Sequence, residues 1–231
     1  MNAAEQDMQQ RLDTLNQMID TALDTALRNR SGLTLVAVSK RQPLAVIHQA
    51  YQLGIRDFGE SQIQEGVPKV KACPDDITWH FIGHLQKNKV RKAVLHFHYL
   101  HSIDSLSLLH RVDAIATEER VCPKIFLQVN YALDSDKYGL HPEAVETVLE
   151  AGLAMKHVAC IGLMGIPPAN ADDERIQAYF QGMVELRDQL KARFPDWPGN
   201  LSLGMSGDFP LAIQAGSHYI RVGSKIFGDR I

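Results

Sequence analysis

Lys40 closes an apolar run, "LTLVAVSK", in which Leu33, Leu35, Val36, Ala37 and Val38 read as a strand buried on both faces. Desolvation disfavours the ammonium form of a lysine held there, which raises the share of free amine able to attack a carbonyl carbon. A lysine that snorkels to the surface is the plainer account of the same residue. Far along the chain, "GMSGD" at 204–208 and "RVGSK" at 221–225 supply glycines for close backbone approach and two hydroxyls, Ser206 and Ser224. Such turns suit a phosphate, although two ordinary Gly/Ser turns would read the same way. A nucleophilic amine and a phosphate cradle at one mouth would suit an aldehyde-bearing phosphate, either pyridoxal 5′-phosphate (PLP) or the substrate of a sugar-phosphate aldolase.

That pairing requires a fold that carries residue 40 to residues 206–224. Strand signals recur near 33–38, 55–58, 78–82, 98–103, 124–130, 157–164, 201–205 and 219–222, and each is followed by a helical or short terminal segment. Eight strand–helix units predict a (β/α)₈ barrel, with a doubly wound open sheet as the competing α/β fold. Leu12, Leu15, Met18, Ile19, Ala22, Leu23, Ala26 and Leu27 recur at helical spacing and predict an extra amphipathic helix over 5–29. Asp104 is expected to cap the helix that follows the fourth strand, and Pro142 to open the one after the fifth. No linker or repeat interrupts the pattern, so residues 1–231 read as one domain with the barrel over about 33–228.

In a barrel, chemistry gathers where strands end. The strand ends here bring Lys40, Glu60 and Ser61, Gly83 and His84, Asn130, Met164 and Gly165, Ser206 and Gly207, and Arg221, Gly223 and Ser224 toward one mouth.

Composition excludes other classes. Twenty-four basic against 27 acidic side chains leave a net charge of −3, with no sign of a nucleic-acid or anionic-membrane partner. Cys73, Cys122 and Cys160 are dispersed and odd in number, which predicts reduced thiols and no metal centre. The polar start "MNAAEQDMQQRLDTL" shows no secretory pattern, so a cytoplasmic location is expected. "HFHYLH" sets His96, His98 and His101 close together, with His96 and His98 placed to share a strand face, but no carboxylate or thiol adjoins them at zinc spacing; packing is expected, as for Trp79 and Trp197. A solvated helix face accounts for the basic run "LQKNKVRK".

Taken in order, "AVSK", "FGE" followed by "QEG", "HFIGHLQKNK", "LMGI", "LSLGMS" and "RVGSKIFG" resemble the pyridoxal phosphate homeostasis protein family, whose barrel is alanine-racemase-like. The resemblance runs from about Leu33 to Gly228. It implies that Lys40 holds PLP covalently as an internal aldimine. Ser206, Gly223 and Ser224 would bind the phosphate, Arg221 would face the pyridine nitrogen, and Asn130 and Met164 would line the pocket. Lys137, in "SDKYG", would be a second and weaker PLP-contacting lysine. Where many members of the family carry Asn after "FGE" this chain has Ser61, a shorter side chain that would give up a polar contact near Lys40.

The implied function is intracellular PLP (vitamin B6) homeostasis: a carrier that buffers PLP, without robust catalysis and with no catalytic residue of its own. A permanent positive charge at the pyridine nitrogen disfavours its protonation and weakens the ring as an electron sink. Racemisation needs a second base, which alanine racemases take from a separate C-terminal domain; here the barrel is expected to end near Gly228. A weak amino-acid racemase is the alternative, with Tyr138 or His84 as substitute bases. The expected partners are PLP and, as recipients, apo PLP-dependent enzymes, for a monomer or weak homodimer.

Overall fold

The computed structural model describes residues 3–228. Eight parallel strands close on themselves in the order of the chain: β1 (Thr34–Val38), β2 (Asp57–Glu60), β3 (Thr78–Phe81), β4 (Tyr99–Ile103), β5 (Lys124–Val129), β6 (Ala159–Gly165), β7 (Asn200–Met205) and β8 (Tyr219–Val222). The barrel shuts where Thr34–Ala37 of β1 pair with Tyr219–Val222 of β8. The doubly wound alternative is excluded.

Helices α1 (Ala3–Thr25), α2 (Leu44–Gln52), α3 (Ile63–Ala72), α4 (Val90–His96), α5 (Leu106–Glu119), α6 (Pro142–Ala154), α7 (Asp173–Arg193), α8 (Phe209–Ala215) and the single turn α9 (Ser224–Phe227) surround it. The extra helix α1 buries Met8, Leu12, Leu15, Ile19, Ala22 and Leu23, one stripe at three- and four-residue spacing. It lies on α8 and α9, where Arg11 Nε donates to Ile226 O at 2.9 Å. It stops at Thr25 and not near 29, because Leu27 turns into the left-handed region (φ +54°).

Alternation divides each strand. Trp79, Phe81, Leu100, Leu127, Leu163, Leu201 and Leu203 face the helices and form the main core. Inside the barrel, rings from β3, β4, β5 and β8 (His80, Tyr99, His101, Phe126 and Tyr219) meet one another. The interior carries polar side chains among its rings, where these helix-facing residues are all apolar.

Three local expectations are corrected. The second strand lies two residues later than 55–58, because the Ile55 N–H returns to Ala50 O and completes the end of α2. Ser105, not Asp104, caps α5 by accepting from the Leu108 N–H, while Asp104 is drawn away to His84. His96 ends α4 and so shares no strand face with His98. Among the described residues no three His, Cys, Asp or Glu side chains could hold a metal, and no helix is long and apolar enough to cross a membrane.

Asp172 caps α7, accepting the Arg175 N–H at 3.0 Å. Asp172→Ala is expected to lower stability by about 1 kcal/mol, read from the urea midpoint at unchanged slope.

Candidate functional site

At the C-terminal ends of the strands a cavity of about 550 Å³ opens among Val38, Lys40, Ser61, Ile166, Ser206, Arg221, Gly223 and Ser224. It has the size of an ordinary small-molecule site. A larger groove, about 690 Å³, lies at the opposite end among Asp57, Trp79, His98, Tyr99 and Lys124. The upper cavity is the candidate, because an amine, a guanidinium and two Gly/Ser turns converge there.

Alternation along β1 sets Lys40 on the face of Val36 and Val38, half-buried at the cavity edge. Behind it is a clamp. Lys69 Nζ donates to Ser39 O at 2.8 Å, to Glu60 Oε1 at 2.8 Å and to Glu65 Oε1 at 2.6 Å. Ser39 Oγ reaches the same Glu60 oxygen at 2.7 Å, and Glu65 also accepts the Arg41 N–H. Lys69 and Glu60 side chains are 8% and 0% exposed. Burial raises the Glu60 pKa; the hydrogen bonds from Lys69 and Ser39 oppose it. Glu60 is therefore not at the mouth, where its strand end suggests. It turns into the layer between β2 and α3, where a Cβ on Gly66 would stand 3.1 Å from its own Cβ. The residues on either side of Lys40 are thus fixed from behind by hydrogen bonds to the ion-paired Lys69, Glu60 and Glu65.

Across the cavity, Gly223 N–H donates to Ser206 Oγ at 3.1 Å, stitching the turn after β7 to the turn that opens α9. Gly223 lies close against β1: a Cβ there would stand 3.3 Å from Val38 O. Asp208 holds the first of these turns through the Met205 N–H at 2.5 Å.

Arg221 forms the floor. Its Nη1 donates to Ser202 O at 2.6 Å and Ser202 Oγ at 2.7 Å, and Nη2 donates to Gly165 O at 3.0 Å. Three of its five N–H groups are thus engaged beneath the cavity. Burial pulls its pKa from 12.5 to about 10, with Asp208 and Tyr179 acting the other way, so the guanidinium stays charged at neutral pH.

Of the seven residues expected to bind a cofactor, Lys40, Ser206, Arg221, Gly223 and Ser224 share this cavity. Asn130 belongs to an adjoining pocket with Lys137, Tyr138 and Ile166, where its amide accepts the Asp134 N–H and donates to Asp134 O and Lys137 O. Met164 is buried beside Ser202 in the strand register and is not part of the cavity wall. Lys137 Nζ donates to Pro167 O at 2.7 Å and lies 3.6 Å from Asp134. Ser61 lines the cavity; His84 stacks on Tyr138 at 3.7 Å beside it.

Residues 11–231 match the family model of the alanine racemase N-terminal domain. The chain is 41% identical over 202 residues to the pyridoxal phosphate homeostasis protein of Synechocystis sp., covering 87% of this chain and 93% of that one. The chain belongs to the pyridoxal phosphate homeostasis protein family.

The family's Aquifex aeolicus member is 34% identical over 231 residues, covering 100% of this chain and 99% of that protein. The structure of PipY from Synechococcus elongatus with PLP bound superposes with a TM-score of 0.85 at 37% identity, over 96% of this chain and all of that one. Alanine racemase of Clostridium difficile shares the fold at a TM-score of 0.75 and 11% identity, covering 95% of this chain and 57% of the racemase.

Proposed function

We propose that the protein binds PLP, anchored covalently at Lys40, and serves PLP homeostasis as a carrier and buffer without sustained catalysis. The observation that carries this reading is the placement of Lys40 and the Ser206–Gly223 turns on one cavity floored by Arg221. The names of relatives that match this chain nearly end to end, and the PLP bound to PipY, support it.

The donor set fits the group: an amine for an aldehyde, hydroxyl and backbone donors for a phosphate, and a fixed cation where a ring would lie. When bound, PLP supplies an aldehyde carbon that condenses with a lysine amine with loss of water. Ser206, Gly223 and Ser224 hold the anionic end. Arg221, already charged, disfavours a proton on the ring nitrogen. Asn130 orders the loop that bears Lys137, and Met164 packs below. His84 and Tyr138 stack on each other beside the cavity that holds Lys40. Handing PLP to apo-enzymes is the use such a site suits.

Borohydride reduction of PLP-loaded protein followed by peptide mapping tests the anchor. The label is expected on the peptide carrying Lys40. A label confined to Lys137 or to surface lysines, or no label, refutes the reading. Chiral chromatography of amino acids incubated with loaded protein checks the other half, since sustained D/L conversion would make it a racemase.

A further inference from the structure

A continuous hydrogen-bonded file crosses the barrel interior. Arg221 Nη1 meets Ser202 Oγ at 2.7 Å, Ser202 Oγ meets His101 Nδ1 at 2.9 Å, His101 Nε2 meets His80 Nδ1 at 3.0 Å, and His80 Nε2 meets Asp57 Oδ1 at 2.9 Å. Ser202, His101 and His80 are fully buried, whereas the Asp57 side chain is 32% exposed and lines the groove at the opposite end of the barrel.

The anion end fixes the direction of the bonds. A carboxylate only accepts, so His80 carries its proton on Nε2 and donates to Asp57. With both imidazoles neutral, His80 Nδ1 accepts from His101 Nε2–H, and His101 Nδ1 accepts from the Ser202 hydroxyl. Ser202 Oγ itself accepts from the guanidinium, which only donates. All four bonds run one way, from the cation at the upper cavity to the anion at the lower groove. Bonds aligned head to tail polarise one another in a low-dielectric interior. Stacking holds the ring planes, His80 on Tyr99 and His101 on Phe126, each at 4.4 Å. Burial keeps both imidazoles below the usual histidine range, with Asp57 opposing it at His80, so the neutral tautomers persist.

We propose that Asp57, His80, His101 and Ser202 are positioning residues: a polarised relay by which a carboxylate at the lower end of the barrel sets the electrostatics and orientation of Arg221 at the upper cavity. The consequence for PLP rests on the function proposed above; the relay does not.

The first arm of the test uses ligand-free protein. Imidazole 15N spectra are expected to show Nε2–H and unprotonated Nδ1 at both His80 and His101. Asp57→Asn keeps an acceptor but removes the charge, and is expected to shift the His101 imidazole and Arg221 guanidinium 15N resonances. Asp75→Asn, an exposed carboxylate on the same groove, should leave both in place. The opposite tautomers, or Arg221 resonances indifferent to Asp57→Asn, would overturn the relay.

The second arm uses PLP-loaded protein. Asp57→Asn is expected to weaken PLP binding about fivefold, at the low end of long-range couplings, and to move the 15N shift of the bound pyridine nitrogen. His101→Phe keeps the stack on Phe126 and cuts the file, so adding Asp57→Asn to it should change nothing more. PLP that binds with affinity and pyridine shift unaltered in Asp57→Asn refutes the relay and leaves the carrier reading intact. Failure of PLP to bind the wild type refutes the carrier reading alone, and the ligand-free arm still decides the relay.

Discussion

The Lys40→Ala protein is expected to lose the visible absorbance of lysine-bound PLP and to hold the vitamin about a hundredfold more weakly, close to 3 kcal/mol at tenfold per 1.4 kcal/mol. Weak binding should survive, because Ser206, Gly223, Ser224 and Arg221 do not depend on the lysine for their places. Arg221 is tied to Ser202 and Gly165, and Gly223 to Ser206. Lys137 is not expected to substitute, since its amine is engaged by Pro167 O and Asp134. Equilibrium dialysis with a spectrum of each retained fraction separates anchor from cradle. Unchanged absorbance in Lys40→Ala would remove Lys40 from the role. Binding abolished altogether would show that the turns after β7 and β8 form no cradle by themselves.

How much of this was legible in the sequence depends on how far apart the interacting residues lie. Strands β1, β5, β7 and β8 fall within a residue or two of expectation, because each run stops at a polar residue or a glycine. The cavity residues were readable for the same reason: position at a strand end and residue type together nominate Lys40, Ser206, Arg221, Gly223 and Ser224. What stayed hidden are contacts made by closure of the barrel. His101 and Ser202 are 101 positions apart and meet only because β4 and β7 face each other across the interior. A signal did exist in "TWHF" and "YLHSI", where histidine takes the alternate phase to Trp79, Phe81 and Leu100 and so must point inward. Lys69 left a similar trace. It stands in the buried stripe of α3 with Ile63 and Gly66, a place for an apolar side chain unless a buried anion is waiting. Glu60 was misplaced because strand-end position says where a backbone stops, not which layer its side chain enters.

That anion is the source of the largest stability effect expected of any single side chain here. Lys69→Met keeps much of the apolar stem and removes the charge, which leaves Glu60 fully buried with its second oxygen already without a partner among the described residues. Breaking a buried pair on one side typically costs about 3–5 kcal/mol. The pH dependence carries the diagnosis. Burial already lifts the Glu60 pKa, and Lys69 is the principal group pulling it back down. Without Lys69 the folded-state value climbs further above that of the unfolded chain. A carboxyl raised in this way binds more protons folded than unfolded, so its contribution is present below the unfolded value and disappears as pH rises through the folded one. The variant should therefore approach the wild type in mild acid and fall progressively behind it toward neutrality and beyond. Adding Glu60→Gln should recover most of the loss at neutral pH, because a neutral amide needs no counter-charge. Urea unfolding of the single and double variants across that range reads both effects. A deficit that is equal at every pH, and untouched by Glu60→Gln, would mean that Lys69 acts through packing, and that the segment carrying Lys40 is not held by charge.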